Sequence, residues 1–579
     1  MTDDRREAPA RPAGAMTEVR GPLPGAPHDR ARAGAGQRAV RLVLGALSGL
    51  LAGAAALGVA ELVASAVRPQ ASPVVTVGGA MIDRTPPALK DYAVRHFGTN
   101  DKLVLESGIV VVLALFALVL GVAALRYRRS ASAAVLVFGV VGVLAAASRP
   151  DRHGLDVLPP PAGALVGAAT LWLLSGFLAL RKAPPAPAAD PAAAPDPAPA
   201  PDPAPAPAPA PDPGPASFDR RRFVLAATST AAASAGAGLL GRTLNSRHGA
   251  AATASRGAVV LPRPASPARP VPAGADLRVP GLSPFTTPNS AFYRVDTALV
   301  VPKVDATTWR LRVHGRGVRE ELSLSYADLL GRELIERDIT LTCVSNEVGG
   351  PYTGNARWIG VRLADVLREA GVRPPSEGGR SDQLVARSVD GMTIGSPVET
   401  VMDGRDAMLA VGMNGEPLPF AHGFPVRVVV PGLYGYVSAC KWLQDLELTT
   451  FDAYDAYWVR RSWSRQAPIK TESRIDTPKP FAAPAAGSVA VAGVAWAQHR
   501  GIDRVEVRVD GGPWRAARLG AQDSADTWRQ WVWPWEATPG EHTLEVRATD
   551  REGRTQPEHR VGTIPDGATG WHSVVVNVT

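Results

Sequence analysis

Cysteine is scarce here: two residues, Cys343 and Cys440, in a chain of 579. A disulfide framework is therefore excluded as the staple of the fold. So low a count fits either a reducing compartment or an exported protein that avoids disulfides, and does not choose between them. Basic stretches interleaved with aromatics are also missing. The net charge of +8 sits in short arginine clusters beside apolar runs, which speaks of membrane orientation and not of nucleic acid. None of the long apolar runs near the N-terminus contains a histidine. A haem held between two histidines inside such a bundle is thereby disfavoured.

What is present divides the chain into several segments. Residues 1–38, rich in Arg, Pro, Gly and Ala, are expected to be a disordered cytoplasmic tail. Residues 39–182 hold four apolar runs, Leu42–Ala60, Ser107–Leu125, Ala131–Ala147 and Ala162–Leu180, close to the roughly 20 residues that cross hydrocarbon. The third is short enough to pack as a buried or tilted segment instead. Arg38 and Arg41, then Arg126, Arg128 and Arg129, then Arg181 and Lys182 fall on one side if every run crosses, which puts the N-terminus in the cytoplasm. Glu61, the one carboxylate near a membrane core, suits an interfacial position.

Residues 183–217 alternate Pro and Ala, a semi-rigid spacer of polyproline II that cannot build a core. In 218–246, Asp219-Arg220-Arg221-Arg222-Phe223-Val224-Leu225 precedes a weakly apolar run to Leu240. This resembles a twin-arginine export signal, here internal and able to stay as an anchor; a fifth span obeying the positive-inside bias is the alternative. That export route carries folded proteins loaded with cofactor. Residues 247–579 are therefore expected outside the cytoplasm, in a multi-pass protein of the cell membrane.

Residues 247–280 read as a second linker, and 281–478 as an α+β domain. Trp309–Val313 and Ile339–Val344 alternate as strands, Ser325 to Asp328 offers a capping box, and Leu363–Ala370 is an amphipathic helix stopped by Gly371. Val426–Val430 reads as a buried strand. Residues 479–579 carry short alternating strands at 489–496, 505–509 and 544–548, with an Asp510-Gly511-Gly512 turn. They are expected to form an immunoglobulin-like β-sandwich. For the tryptophans at 528, 531, 533 and 535, core and interface both stand open.

Cys343 ends a strand where Ser345-Asn346 turns away, a place from which a thiolate can face a cavity. The bland alternative is a small buried hydrophobe, the commonest fate of a free cysteine. Downstream, His422, Arg427 and Lys441 bracket a strongly apolar strand. Arg offers a fork and Lys a point charge, so the three make an anion grip; solvated loop charges are the alternative. A further reading takes Cys343 as a thiol nucleophile with His422 as base.

Several motifs in series then carry a resemblance. Leu341-Thr342-Cys343-Val344-Ser345-Asn346, the run Asp390 to Pro397, the run Met413 to Pro419, the run His422 to Arg427, and Lys441-Trp442-Leu443 resemble the sulfite oxidase family of molybdenum enzymes, in that family's order. The likeness covers about 282–475, and the sandwich is similar to the family's dimerisation domain. It implies Cys343 as the protein thiolate on molybdenum, with the other sulfur ligands from one pyranopterin, the molybdenum–molybdopterin cofactor. Arg294 would face the substrate. Asn289, Tyr293, Arg294, Asp390, His422, Arg427, Ser438, Ala439 and Lys441 would hold the pterin and its phosphate.

The implied chemistry is two-electron oxygen-atom transfer with a small oxo donor or acceptor. Electrons would pass to a separate partner, a cytochrome or a quinone-linked carrier, and a homodimer would form through the C-terminal domain. Two positions depart from the pattern. Val348 stands where sulfite oxidases have a second arginine, and Trp463, in Arg460-Arg461-Ser462-Trp463, replaces their active-site tyrosine. Both changes remove polar groups that would meet a small dianion, so a less charged oxo donor or acceptor, such as a sulfoxide or an N-oxide, fits the pocket equally well, beside a sulfite-like substrate. The competing reading from another class is a cell-surface binding or structural protein whose oxidoreductase domain holds no metal.

Overall fold

The computed structural model describes residues 27–86, 101–149, 154–179 and 219–579. The 183–217 spacer, Arg181, Lys182 and residues 1–26 of the expected tail lie outside these. Among the described residues, five helices are long and apolar enough to cross a membrane. They are α1 (Pro27–Val67) and, after the shorter α2 (Pro73–Arg84), α3 (Asp101–Ala124), α4 (Arg128–Ala147), α5 (Pro159–Phe177) and α6 (Arg220–Gly257). Two expectations need correcting. Residues 27–38, read as disordered, are the first turns of α1. The 247–280 linker is not one: α6 takes in its Ala-rich first part to Gly257, where alanine favours helix. Its remainder docks on the following domain, with the Glu336 amide donating to the Ser266 carbonyl at 2.9 Å and Ala275 buried.

The chain forms two compact units. In the first (Met1–Ala55, Leu113–Val135, Gly167–Ala232), α1 and α3 meet backbone to backbone. A Cβ on Gly49 would lie 1.8 Å from the Ala117 carbonyl oxygen, and one on Gly121 2.2 Å from that of Gly45. Small residues permit such approach where lipid supplies no hydrophobic drive between helices.

In the second unit (Ala56–Val112, Leu136–Val166, Ala233–Thr579), Gly163 of α5 meets the Ala56 carbonyl of α1 in the same way. Arg68 Nε donates to the buried Asp156 carboxylate at 2.8 Å. The Ser72 hydroxyl donates to Glu61.

From Arg310 this second unit is strand-rich. β1 (Arg310–Gly315), β2 (Leu322–Ser325), β3 (Leu334–Thr342), β4 (Thr353–Arg362) and β5 (Gln383–Ser388) come first. β6 (Thr393–Pro397), β7 (Met408–Met413), β8 (Glu416–Pro417), β9 (Arg427–Val429) and β10 (Leu443–Thr449) follow. One sheet is mixed, ordered β2-β1-β10-β5-β6 with β1 parallel to β10. The other is antiparallel, β3-β4-β7-β8 with β9 on β7. Four short helices of four to seven residues join them. Ser325 and Asp328 form the reciprocal capping box their spacing predicts.

One core, with Trp358, Phe424 and Leu311 fully buried, fills the space between. It does not stop at the expected boundary after residue 478. β11 (Glu472–Thr477) pairs with β12 (Gly487–Trp496), and Trp496 and Trp528 belong to the same core as Trp358. The seam therefore precedes Glu472.

β13 (Ile502–Val509), β14 (Arg515–Ala516), β15 (Arg518–Leu519), β16 (Arg529–Ala537), β17 (Gly540–Asp550) and β18 (His572–Val578) complete the chain. They form two antiparallel sheets, β11-β12-β16-β15 and β14-β13-β17-β18. A second core holds Trp531, Trp535, Val507, Leu544 and Val576, so the tryptophan-rich strand serves packing. After β13, Asp510 and Gly511 both have positive φ, and the Gly512 amide donates to the Val509 carbonyl at 2.8 Å. This is the I′ geometry that an Asp-Gly pair favours.

Candidate cofactor-binding site

β3 delivers Cys343. Its alternating residues bury both faces, and the chain turns immediately after Thr342. The Cys343 amide donates to the Tyr352 carbonyl at 2.9 Å, the Asn346 amide to the Cys343 carbonyl at 3.0 Å, and the Asn346 side-chain oxygen accepts from the Tyr352 amide at 2.7 Å. A closed loop thus fixes the sulfur. From behind, β3 is stitched to the C-terminal sheets. The Thr340 amide donates to the Asp526 carbonyl, the Trp528 amide to the Thr340 hydroxyl at 2.7 Å, and Gln498 Nε2 to the Thr340 carbonyl at 2.9 Å.

Cys343 opens into a cleft whose empty space, counted out to its mouth, is about 890 Å³. Burial pushes its thiol pKa up, against the Ser345 amide and hydroxyl and the charge of Lys441. Arg427, the first residue of β9, is 5% exposed. Its Nη1 donates to the His422 carbonyl at 3.2 Å and its plane lies 4.9 Å from the Trp358 ring, yet Nε meets no partner. Among the described residues no carboxylate pairs with this guanidinium. Burial draws its pKa down to about 10, so it stays charged at neutral pH. An unpaired buried cation costs several kcal/mol, which is the condition of a group awaiting an anion.

Lys441 is held differently. Its ammonium sits 2.6 Å from Asp296 and donates to the Val295 carbonyl; burial lowers its pKa to about 8 despite that carboxylate. His422 contributes no charge. Burial first, then the Arg427, Lys441 and Arg294 charges, bring its pKa to about 4. Nε2 lies 3.0 Å from the Asn289 carbonyl, which can only accept, so Nε2 carries the proton and Nδ1 is the lone-pair side. The expected anion grip of His422, Arg427 and Lys441 is therefore two cations and a neutral imidazole.

Of the ten residues expected here, Tyr293, Cys343, Asp390, His422, Arg427, Ala439 and Lys441 line the cleft. Asn289, Arg294 and Ser438 do not. Asn289 orients His422 through its carbonyl and takes the Asn414 amide on its side chain. The Ser438 hydroxyl caps the Leu433 and Tyr434 carbonyls. Arg294 forks onto Asp296 at 2.7 and 3.2 Å, because a carboxylate two residues on is closer than the cleft.

The sequence reading missed Asp296, which gathers both Arg294 and Lys441; its spacing from Arg294 was the available sign. It also missed the apolar wall of Phe292, Met392, Ile394, Tyr436 and Trp458, which joins Trp463. Trp463 packs on Tyr436 and Trp458 at centroid distances of 5.5 and 6.2 Å. Val348 is not part of the lining.

The donor set constrains what can bind. Among the described residues no three His, Cys, Asp or Glu side chains converge as metal ligands. A metal at Cys343 must bring its remaining ligands with it. Two cations, one of them unpaired, meet a group that is itself anionic. A metal carried by an organic sulfur ligand with a phosphate has these properties, and the residues present fit it. The nucleophile reading fares worse: burial raises the thiol pKa where an activated cysteine needs it lowered, and the His422 imidazole, its pKa brought down to about 4, is a weak base.

The strand architecture and this cleft define a molybdopterin-binding oxidoreductase domain. Residues 298–458 match the family described as the oxidoreductase molybdopterin binding domain. The chain is 35% identical over 321 residues to sulfite oxidase of Gallus gallus, covering 47% of this chain and 68% of that protein. Against mitochondrial sulfite oxidase of Mus musculus it is 32% identical over 343 residues, covering 51% and 62%. It therefore spans somewhat under two thirds of the mouse protein. Nitrate reductase [NADH] 1 of Oryza sativa subsp. japonica is 28% identical over 356 residues, with 51% and 38% covered. Among solved structures, the sulfane dehydrogenase SoxCD from Paracoccus pantotrophus matches with a TM-score of 0.43 at 26% identity, covering 51% and 84%. The chain belongs to the sulfite oxidase family. That membership implies the molybdenum cofactor.

Proposed function

We propose that this protein is a membrane-anchored molybdenum-cofactor oxidoreductase that moves an oxygen atom to or from a small, weakly charged substrate outside the cytoplasm. The observation that carries the proposal is the Cys343 sulfur at the wall of a cleft whose deepest cation, Arg427, has no counter-charge. When bound, the cofactor supplies two-electron oxygen-atom exchange. Cys343 would give the metal its protein sulfur. Arg427 would take the anionic end of the cofactor, and His422, neutral and pinned by Asn289, would hydrogen-bond without adding charge. In the reductive direction the balance is XO + 2e⁻ + 2H⁺ → X + H₂O.

Substrate class follows from the lining. Trp458, Trp463, Tyr436 and Met392 are part of the cleft wall, and the arginine expected to meet sulfite is turned onto Asp296. Such a wall suits a sulfoxide or N-oxide better than a dianion, whose desolvation it would not repay. Asp219-Arg220-Arg221-Arg222 at the start of α6 supports export of the folded domain by the twin-arginine route with α6 retained as anchor. The two antiparallel C-terminal sheets around their own core support an immunoglobulin-like sandwich, and the likeness to the family's dimerisation domain is the ground for a homodimer through it.

The test is metal and pterin analysis of the purified full chain. Viologen-driven reduction of sulfoxides and N-oxides would then be compared with ferricyanide-linked sulfite oxidation. About one molybdenum and one pterin per chain with faster oxo-acceptor reduction is expected. Protein from molybdenum-replete cells carrying neither would overturn the proposal in favour of a metal-free binding protein.

A further inference from the structure

A second cavity adjoins the cofactor cleft. It lies within the second unit, between α2 and the loop 297–300, and three residues, Thr297, Asp390 and Met392, line both spaces. Val75 and Ile82 of α2 face Leu299 and Val300 across it, with Gln70 and Arg149 as polar members. Glycines in α2 make the approach possible. A Cβ on Gly78 would lie 2.8 Å from Leu299 Cδ1, and one on Gly79 2.5 Å from the Arg149 guanidinium. That guanidinium donates to the Val75 carbonyl at 3.3 Å.

Gln70 follows the end of α1 and Arg149 the end of α4, two helices apolar enough to span a membrane. By the charge bias of their flanks these are the non-cytoplasmic ends. The cavity thus lies beside helix ends where an apolar phase would end, and it shares three lining residues with the cofactor cleft. The geometry points to a docking site for a lipid-soluble two-electron carrier of the quinone class, exchanging electrons with the cofactor through the Thr297–Asp390–Met392 wall. This rests on the oxidoreductase reading above and names its partner.

Three features of the site select that chemistry. The apolar residues suit a flat ring, while Arg149 and Gln70 can donate to its two oxygens. A carrier confined to the membrane would reach this cavity without crossing water. Its electron count also matches the reaction, since XO + QH₂ → X + Q + H₂O closes without another redox partner, the quinol protons leaving in water. A protein cytochrome would instead need an exposed docking face at the cleft, and would deliver one electron at a time.

The test uses the cofactor-loaded full chain in lipid nanodiscs, with a naphthoquinol as donor and an azido-naphthoquinone as photolabel. Labelling is expected on α2 or on residues 297–300. Val75→Trp and, separately, Leu299→Trp should fill the cavity. Each is expected to cut labelling and naphthoquinol-driven turnover by about tenfold or more, about 1.4 kcal/mol of binding, while viologen-driven turnover stays within about twofold. Labelling elsewhere, or labelling untouched by both variants, overturns the site. So does a quinol-driven loss that merely parallels the viologen-driven one. Absence of viologen turnover in the unmutated chain would instead count against the oxidoreductase reading, and the photolabel still reports on the cavity.

Discussion

Arg427 is a buried cation that the polypeptide leaves without a counter-charge among the described residues. Replacing a buried, unpaired cation by an apolar side chain of similar length is often neutral or stabilising. Arg427→Met should therefore leave the melting temperature of cofactor-free protein unchanged or raised. The same substitution should lower cofactor retention by roughly tenfold or more, since a hydrogen bond to a charged group is worth ~1.5–3 kcal/mol. Pterin content after dialysis, read beside the melting curve, separates the two effects. Cys343→Ser is the complementary case. A hydroxyl is a poor ligand for a soft, sulfur-bound metal, so oxygen-transfer activity and bound molybdenum should fall to background while the fold, measured by circular dichroism, persists.

Among single elements, β11 carries an anomaly. Glu472 opens it with both carboxyl oxygens buried and unpartnered, and Trp496, its register partner on β12, has an unpartnered indole N–H. Burial raises the Glu472 pKa to about 8. The folded state then holds a proton that the unfolded chain releases near its ordinary value of 4.5. Between those values the native state binds more protons, so stability falls as pH rises from about 4.5 to 8 and levels off above. Glu472→Gln should abolish that slope and stabilise the protein by roughly 1–3 kcal/mol at pH 8. Melting curves at pH 5 and pH 8 check this; an unchanged slope in the variant would remove Glu472 as its source.

Much at this scale was readable from sequence. The capping box at Ser325 and the stop at Gly371 are written in local spacing, whereas the strand read as Ile339–Val344 runs from Leu334 and ends two residues sooner, at Thr342. The neutrality of His422 was not, because it comes from burial and from the Arg427, Lys441 and Arg294 charges that only the fold brings near it. Arg294 misled because its motif position pointed to the cleft, while the nearer Asp296 captures it. The extent of α6 was hidden by a composition too polar to look like one continuous span.

At the scale of the molecule, two folded regions distinct in sequence texture share one core. Trp496 and Trp528 come from the C-terminal sheets but pack with Trp358 and Phe424. Cutting after residue 478 would strip both tryptophans from that core and leave β11 without β12. Losing one such side chain costs ~3–5 kcal/mol, against a domain stability of about 5–15 kcal/mol. Residues 281–478 expressed alone should be insoluble or molten, whereas 258–579 should melt cooperatively. Near-ultraviolet dichroism and calorimetry distinguish the two outcomes, and a cooperative transition in the shorter piece would show the shared core to be dispensable.

The stitches behind β3 have a consequence for genetics. Asp526, Trp528 and Gln498 touch nothing in the cleft, yet they hold the strand whose tip presents the sulfur. A random screen for inactive alleles should therefore recover clusters of hits around these codons. On a linear map they would look like a second catalytic centre, when they are the rear anchorage of the first.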